Sequence, residues 1–201
     1  MNKIIIVHYE EDPKAVEAFE EAVEHFWCKT VDYTRNAIIS ILSGLEDIDA
    51  VFARLMKNQE DIGNAIIPYY GEDAAIELTR LLKEHITIAG NIFKAIKDSN
   101  STTALEEEWL TNADAIAAFL DSADSDSWPK ATVLALLKKH MECTLKEAAS
   151  RFSKDWVADF LAYEDCKRNI ENLAYAMADG ILNKFPEQFV MQYSSRTIKK
   201  K

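Results

Sequence analysis

The segment Leu81-Leu82-Lys83-Glu84-His85 and its near copy Leu136-Leu137-Lys138-Lys139-His140 decide the fold reading, because each ends on a histidine set among apolar residues. The two histidines lie 55 residues apart, and a further step of 55 towards the N-terminus reaches Thr30. Four residues before these positions stand Phe26, Leu81 and Leu136; three before stand Trp27, Leu82 and Leu137. One after are Val31, Ile86 and Met141, and four after are Thr34, Ala89 and Thr144. Such offsets share one side of an α-helix, so the position belongs to an apolar stripe. Between the copies, Asn58 and Ile62 correspond to Asn112 and Ile116. The pattern predicts an all-α fold: an antiparallel helical bundle of about six helices, built from three helical-hairpin repeats that pack into one core.

A chain of 201 residues with only 5 Gly and 4 Pro has room for long helices and few turns. Residues 1–11 read as a short leader, 12–189 as a single bundle domain and 190–201 as a basic tail. Asp12-Pro13 caps and opens the first helix, and Gly44 ends it. The second helix runs from about Asp47 to Ile67, where Pro68-Tyr69-Tyr70-Gly71 stops it. A third begins near Asp73, and a fourth near Thr102, with Thr103 and Glu106 at capping-box spacing. Asp121 to Ser127 reads as a polar loop, lacking the glycine and closing glutamate of a calcium loop. Trp128-Pro129 opens the fifth helix, and the sixth extends from about Asp155 to Phe185. Trp109, Trp128 and Trp156 are expected to close the core between hairpins.

With 34 acidic against 23 basic residues the net charge is −11, which opposes binding to a phosphate backbone. The only basic cluster is Arg196 to Lys201, read as a solvated end. Ile4-Ile5-Ile6-Val7 is too short for a membrane span. Neither a nucleic-acid nor a membrane partner is expected, whereas a homo-oligomer such as a homodimer is compatible. Three cysteines without regular spacing point to reduced thiols and a cytoplasmic protein. No nucleophile elbow, P-loop or Gly-rich dinucleotide turn occurs.

Two site readings follow. His85 and His140 at matching positions of core helices could hold a divalent transition metal (Zn, Fe or Ni), with Asp61 and Asp114 as added ligands and Asp32 and Glu164 at similar helix edges. The other reading, which is favoured, makes them core-edge histidines bonded to Asn58, Asn112 or a backbone carbonyl. A pocket is sought around Asn58, Asp61, Gly63, Tyr69, Tyr70 and Asn112. Gly63 costs about 1 kcal/mol inside a helix relative to Ala, which points to a close crossing or a kink. The sequence therefore reads as a structural or small-ligand-binding module rather than an enzyme, the alternative being a metal-binding bundle and metalloenzyme.

Over Asn58 to Gly71, Leu81 to His85, Trp109 to Ala117 and on to Phe185-Pro186-Glu187-Gln188-Phe189, the chain resembles an uncharacterised family of bacterial all-helical proteins. Members of that family carry labels such as glycosyltransferase or acetylglutamate kinase, which describe α/β enzymes unlike this sequence. The resemblance implies a histidine where this chain has Thr30, one per hairpin. That arrangement is similar to the three-histidine metal sites of DinB-like bundles.

Overall fold

In a computed structural model, which describes residues 9–192, the chain is an all-helical bundle. A short strand β1 (Tyr9–Glu11) leads into α1 (Pro13–Ser43), α2 (Ile48–Ala65), α3 (Ile67–Lys97), α4 (Thr103–Ala123), α5 (Lys130–Phe152) and α6 (Trp156–Lys184). A 3₁₀ turn, Pro186–Phe189, then feeds β2 (Val190–Gln192), which pairs antiparallel with β1. Residues 9–11 and 190–192, at the edges of the segments read as leader and tail, are strand in the structure. The apolar run Ile4–Val7 and the basic cluster Arg196–Lys201 lie outside the described residues.

Local chemistry accounts for several helix ends. The Asp12 carboxylate accepts from the Lys14 and Ala15 amides with Pro13 at the first helical position, and Gly44 closes α1 in the left-handed conformation that glycine adopts without strain. At the α2–α3 junction the chain hardly pauses: Ile67–Tyr70 form one helical turn, Gly71 breaks it at φ 82°, and the long part of α3 follows. Thr103 and Glu106 do not form the expected capping box. Thr102 is the residue preceding α4, and its hydroxyl instead donates to the Glu106 carboxylate. The Asp121 carboxylate accepts from the Lys130 amide, which caps α5 across the connecting loop.

Short connections turn each helix back along the previous one. α1 lies between α2 and α6, α3 between α2 and α4, and α5 between α4 and α6, while α1, α3 and α5 also touch one another. The odd-numbered helices are therefore inner and the even-numbered ones outer, and α6 closes the ring on α1. One large apolar core spans the ring, with Trp109, Phe93, Ile92 and Ile116 among its most buried members. Trp128 is buried too, its indole donating to the Ala176 carbonyl at 2.9 Å. Trp156 is 56% exposed and closes nothing. It stands at the solvent-facing start of α6, where Asp155 caps the helix and Val157, Phe160 and Leu161 are exposed beside it.

Candidate functional site

Thr30, His85 and His140 are all buried, on α1, α3 and α5 respectively. Behind each inner helix an asparagine of the next helix donates to its backbone. Asn58 Nδ2 bonds the Phe26 carbonyl at 3.0 Å, Asn112 Nδ2 the Leu81 carbonyl at 3.1 Å, and Asn169 Nδ2 the Leu136 carbonyl at 3.1 Å. The accepting carbonyls belong to the residues four before Thr30, His85 and His140. Asn169 was missed from sequence because it stands 57 residues after Asn112, whereas Asn112 stands 54 after Asn58.

The side chains at the three positions behave differently. Asn58 Nδ2 also donates to Thr30 Oγ1 at 2.8 Å. His85 Nδ1 lies 2.8 Å from Asn112 Oδ1. That oxygen can only accept, so Nδ1 carries the hydrogen and Nε2 keeps a free lone pair. His85 Nε2 is buried without a partner, and the ring tilts against Trp109 at 4.9 Å. His140 Nδ1 and Asn169 Oδ1 are both buried and unpartnered. Burial pushes both imidazoles down, His85 to about 3 and His140 to about 4, with the neighbouring His140 charge adding to the fall at His85. Both are neutral at physiological pH, the state in which imidazole can ligate metal.

The carboxylates expected beside them are elsewhere. Asp61 pairs with Lys57 at 2.9 Å and Arg54 at 3.4 Å, and Asp114 with Lys130 at 2.8 Å, on the outward side of α2 and α4. Asp32 accepts from Tyr163 at 2.9 Å and pairs with Lys29, and Glu164 is exposed. Lysine partners hold these carboxylates toward solvent, so the structure does not assemble the set of His85, His140, Asp61 and Asp114. Among the described residues, His140 instead shares its surroundings with Cys143 and Cys166. Those two cysteines form a disulfide between α5 and α6, which corrects the expectation of three free thiols; Cys28 alone is unpaired. The antiparallel pairing of α5 with α6 sets their Cα atoms 5.4 Å apart, within disulfide range, and no sequence spacing announces that register.

The expected pocket residues divide. Tyr70 lines an apolar cavity of about 40 Å³ with Phe19, Trp27, Ile62, Leu120 and Trp128 among its walls. Its ring meets Phe185 edge-on at 5.2 Å, and its hydroxyl is buried without a partner. Burial raises the pKa of that hydroxyl, with the Asp124 charge adding to the rise. Tyr69 packs instead among Phe19, Phe185 and Phe189. Asn58, Asp61 and Asn112 do not line the cavity. Gly63 serves the close crossing: a Cβ there would sit 2.8 Å from the Ala75 carbonyl and strike the Thr79 hydroxyl.

A second polar cluster was not foreseen. Arg35 Nη1 donates to Glu147 at 2.7 Å and Asp159 at 2.9 Å, and Arg151 donates to Asp159 at 2.9 Å. Both carboxylates are buried. Burial lifts Glu147 to about 7 although Arg35 and Arg151 pull it down. A signal was present: His140, Thr144, Glu147 and Arg151 follow i, i+4, i+7 and i+11 along one face of α5. No protein family, curated protein or solved structure matches this chain.

Proposed function

We propose that the chain is a small-ligand-binding module whose ligand is a slender apolar molecule carrying one hydrogen-bond acceptor. Tyr70 carries this reading: its side chain lines a cavity otherwise walled by aromatic and aliphatic side chains, and its hydroxyl is buried and unpartnered. Buried polar groups are nearly always satisfied, and pockets combine apolar walls with a few placed polar groups. A volume of about 40 Å³ admits more than one water and suits the end of an alkyl chain or the acetyl end of a ketone rather than a whole molecule. Binding of a series of alkyl methyl ketones, followed by calorimetry, tests it. Tyr70→Phe should weaken binding about 3- to 10-fold, the share of one neutral hydrogen bond. Absence of ketone binding to the unmutated chain overturns it.

Three hairpin repeats belong to the same reading, supported by the three asparagine-to-carbonyl bonds at matching positions. So do a cytoplasmic setting and a homodimer, for which the exposed Trp156, Val157, Phe160 and Leu161 would supply apolar surface. A sedimentation coefficient that stays monomeric at all concentrations removes the dimer.

The second reading is a divalent metal held by His85 and His140, favoured by the free lone pair on His85 Nε2. Stoichiometric metal after growth in Zn, Fe or Ni, lost in His85→Asn, is its expected result.

A further inference from the structure

One imidazole nitrogen of His140 and the sulfurs of Cys143 and Cys166 lie within 4.8 Å of one another. His140 and Cys143 are three residues apart on α5 and so leave one face, while Cys166 meets them from α6. All three side chains are buried, and His140 Nδ1 has no hydrogen-bond partner. We propose that, once the disulfide is reduced, His140, Cys143 and Cys166 form a metal site for a divalent ion of the zinc class.

Charge and softness both select that ion. Two thiolates cancel a double positive charge, so the metal-bearing site is neutral and can stay inside the bundle, which an ion held by imidazoles alone would not be. Thiolate and imidazole donors suit zinc and disfavour magnesium or calcium, which take oxygen. Zinc–sulfur and zinc–nitrogen bonds of about 2.3 and 2.0 Å place tetrahedral donors about 3–4 Å apart, so the two sulfurs must part once their bond is reduced, while the three donors already lie within 4.8 Å of one another. The Thr144 hydroxyl lies 3.7 Å from Cys166 Sγ but gives its one hydrogen to the His140 carbonyl at 2.8 Å, a bond it would exchange to serve the thiolate. Three protein ligands leave the fourth position to water or a ligand.

The disulfide is the alternative state, because sulfurs bonded to each other cannot both ligate as thiolates. A reductant breaks the S–S bond by supplying two electrons, two protons complete the thiols, and metal binding then releases those protons to solvent. A reducing compartment holds the pair as thiols and favours the metal form. This inference is independent of the Tyr70 pocket and differs from the second reading in its donors.

The test uses the full chain without a His tag, reduced under nitrogen by a water-soluble phosphine. The phosphine takes oxygen from water as the S–S bond opens to two thiols. Titration with Co²⁺ should give one equivalent bound, with thiolate-to-cobalt charge-transfer absorption that Zn²⁺ bleaches. The oxidised protein should give none. Cys28→Ser and His85→Asn should keep the signal, Cys143→Ser and Cys166→Ser should abolish it, and His140→Asn should weaken affinity at least tenfold. Should a core cysteine variant fail to fold, the unmutated and Cys28→Ser proteins still decide. A reduced chain without charge-transfer absorption, a signal lost with Cys28→Ser, or a signal that requires His85 but neither core cysteine overturns the proposal.

Discussion

At Glu147, His85 and His140 the interior holds ionisable side chains whose neutral forms the fold prefers, and this makes stability depend on pH in opposite senses. The histidines fall from about 6.5 when unfolded to about 3 and about 4 when folded. The unfolded chain therefore binds more protons below pH 6.5, and the stability these residues contribute is present above that pH and lost as the pH falls toward 4. Glu147 rises from 4.5 to about 7, so its contribution is full below 4.5 and lost as the pH climbs through 7. Between pH 6.5 and 4.5 two histidines oppose one glutamate, leaving a net loss of roughly 1.4 kcal/mol per pH unit on acidification. Glu147→Gln removes the opposing group and should nearly double that slope in urea denaturation at pH 6.5, 5.5 and 4.5. An unchanged slope means that Glu147 is ionised in the fold.

Helix boundaries show how far a sequence can be read one element at a time. The start of α1 and its end at Gly44 were legible because a cap, a proline and a left-handed glycine are chemistry within a few residues. The place of His85 within an apolar stripe was legible for the same reason, since periodicity fixes the face. That it bonds a partner was legible too, but its choice of Asn112 among Asn58, Asn112 and a backbone carbonyl, and the lack of any partner at His140 Nδ1, were not. Cap geometry before α4 was not, since Thr102 and Thr103 compete for one role and only the helix axis decides. Gly63 sits between these cases. Its presence announces a close approach without saying to what, and the structure supplies the Ala75 carbonyl and Thr79. In isolation Gly63→Ala would favour α2 by about 1 kcal/mol. Against α3 the added methyl must push the helices apart, and we expect a net loss of about 1–3 kcal/mol. Thermal unfolding of this variant, with the exposed Ala50→Gly as a propensity control, distinguishes the two effects. A stabilised Gly63→Ala would mean that the crossing yields.

On the scale of the whole molecule, the informative contacts join residues far apart in sequence, which no local pattern encodes. The helix count and inward faces follow from periodicity, but the seam where α6 returns to α1 does not. That seam includes Tyr163 bonding Asp32 and, above all, Arg35 reaching Glu147 and Asp159 across separations of 112 and 124 residues. Arg35 also stacks over Phe160 and Tyr163, at 5.0 and 4.6 Å from their ring centres. One guanidinium thus ties the first helix to both helices of the last hairpin. Removing it as Arg35→Leu leaves two buried carboxylates with Arg151 as their remaining cation, and loss of one member of a buried ionic cluster costs about 3–5 kcal/mol. If the cost comes from stranded charge, Arg35→Leu combined with Glu147→Leu and Asp159→Leu should recover most of it, because an apolar seam of similar volume needs no counter-ion. If it comes from ring closure itself, the triple variant should stay as unstable as the single one. Urea midpoints of the two variants at pH 7.5, where Glu147 has its greater tendency to ionise, separate these outcomes. A single variant within 1 kcal/mol of the parent would show that solvent reaches the cluster and that apolar packing alone closes the bundle.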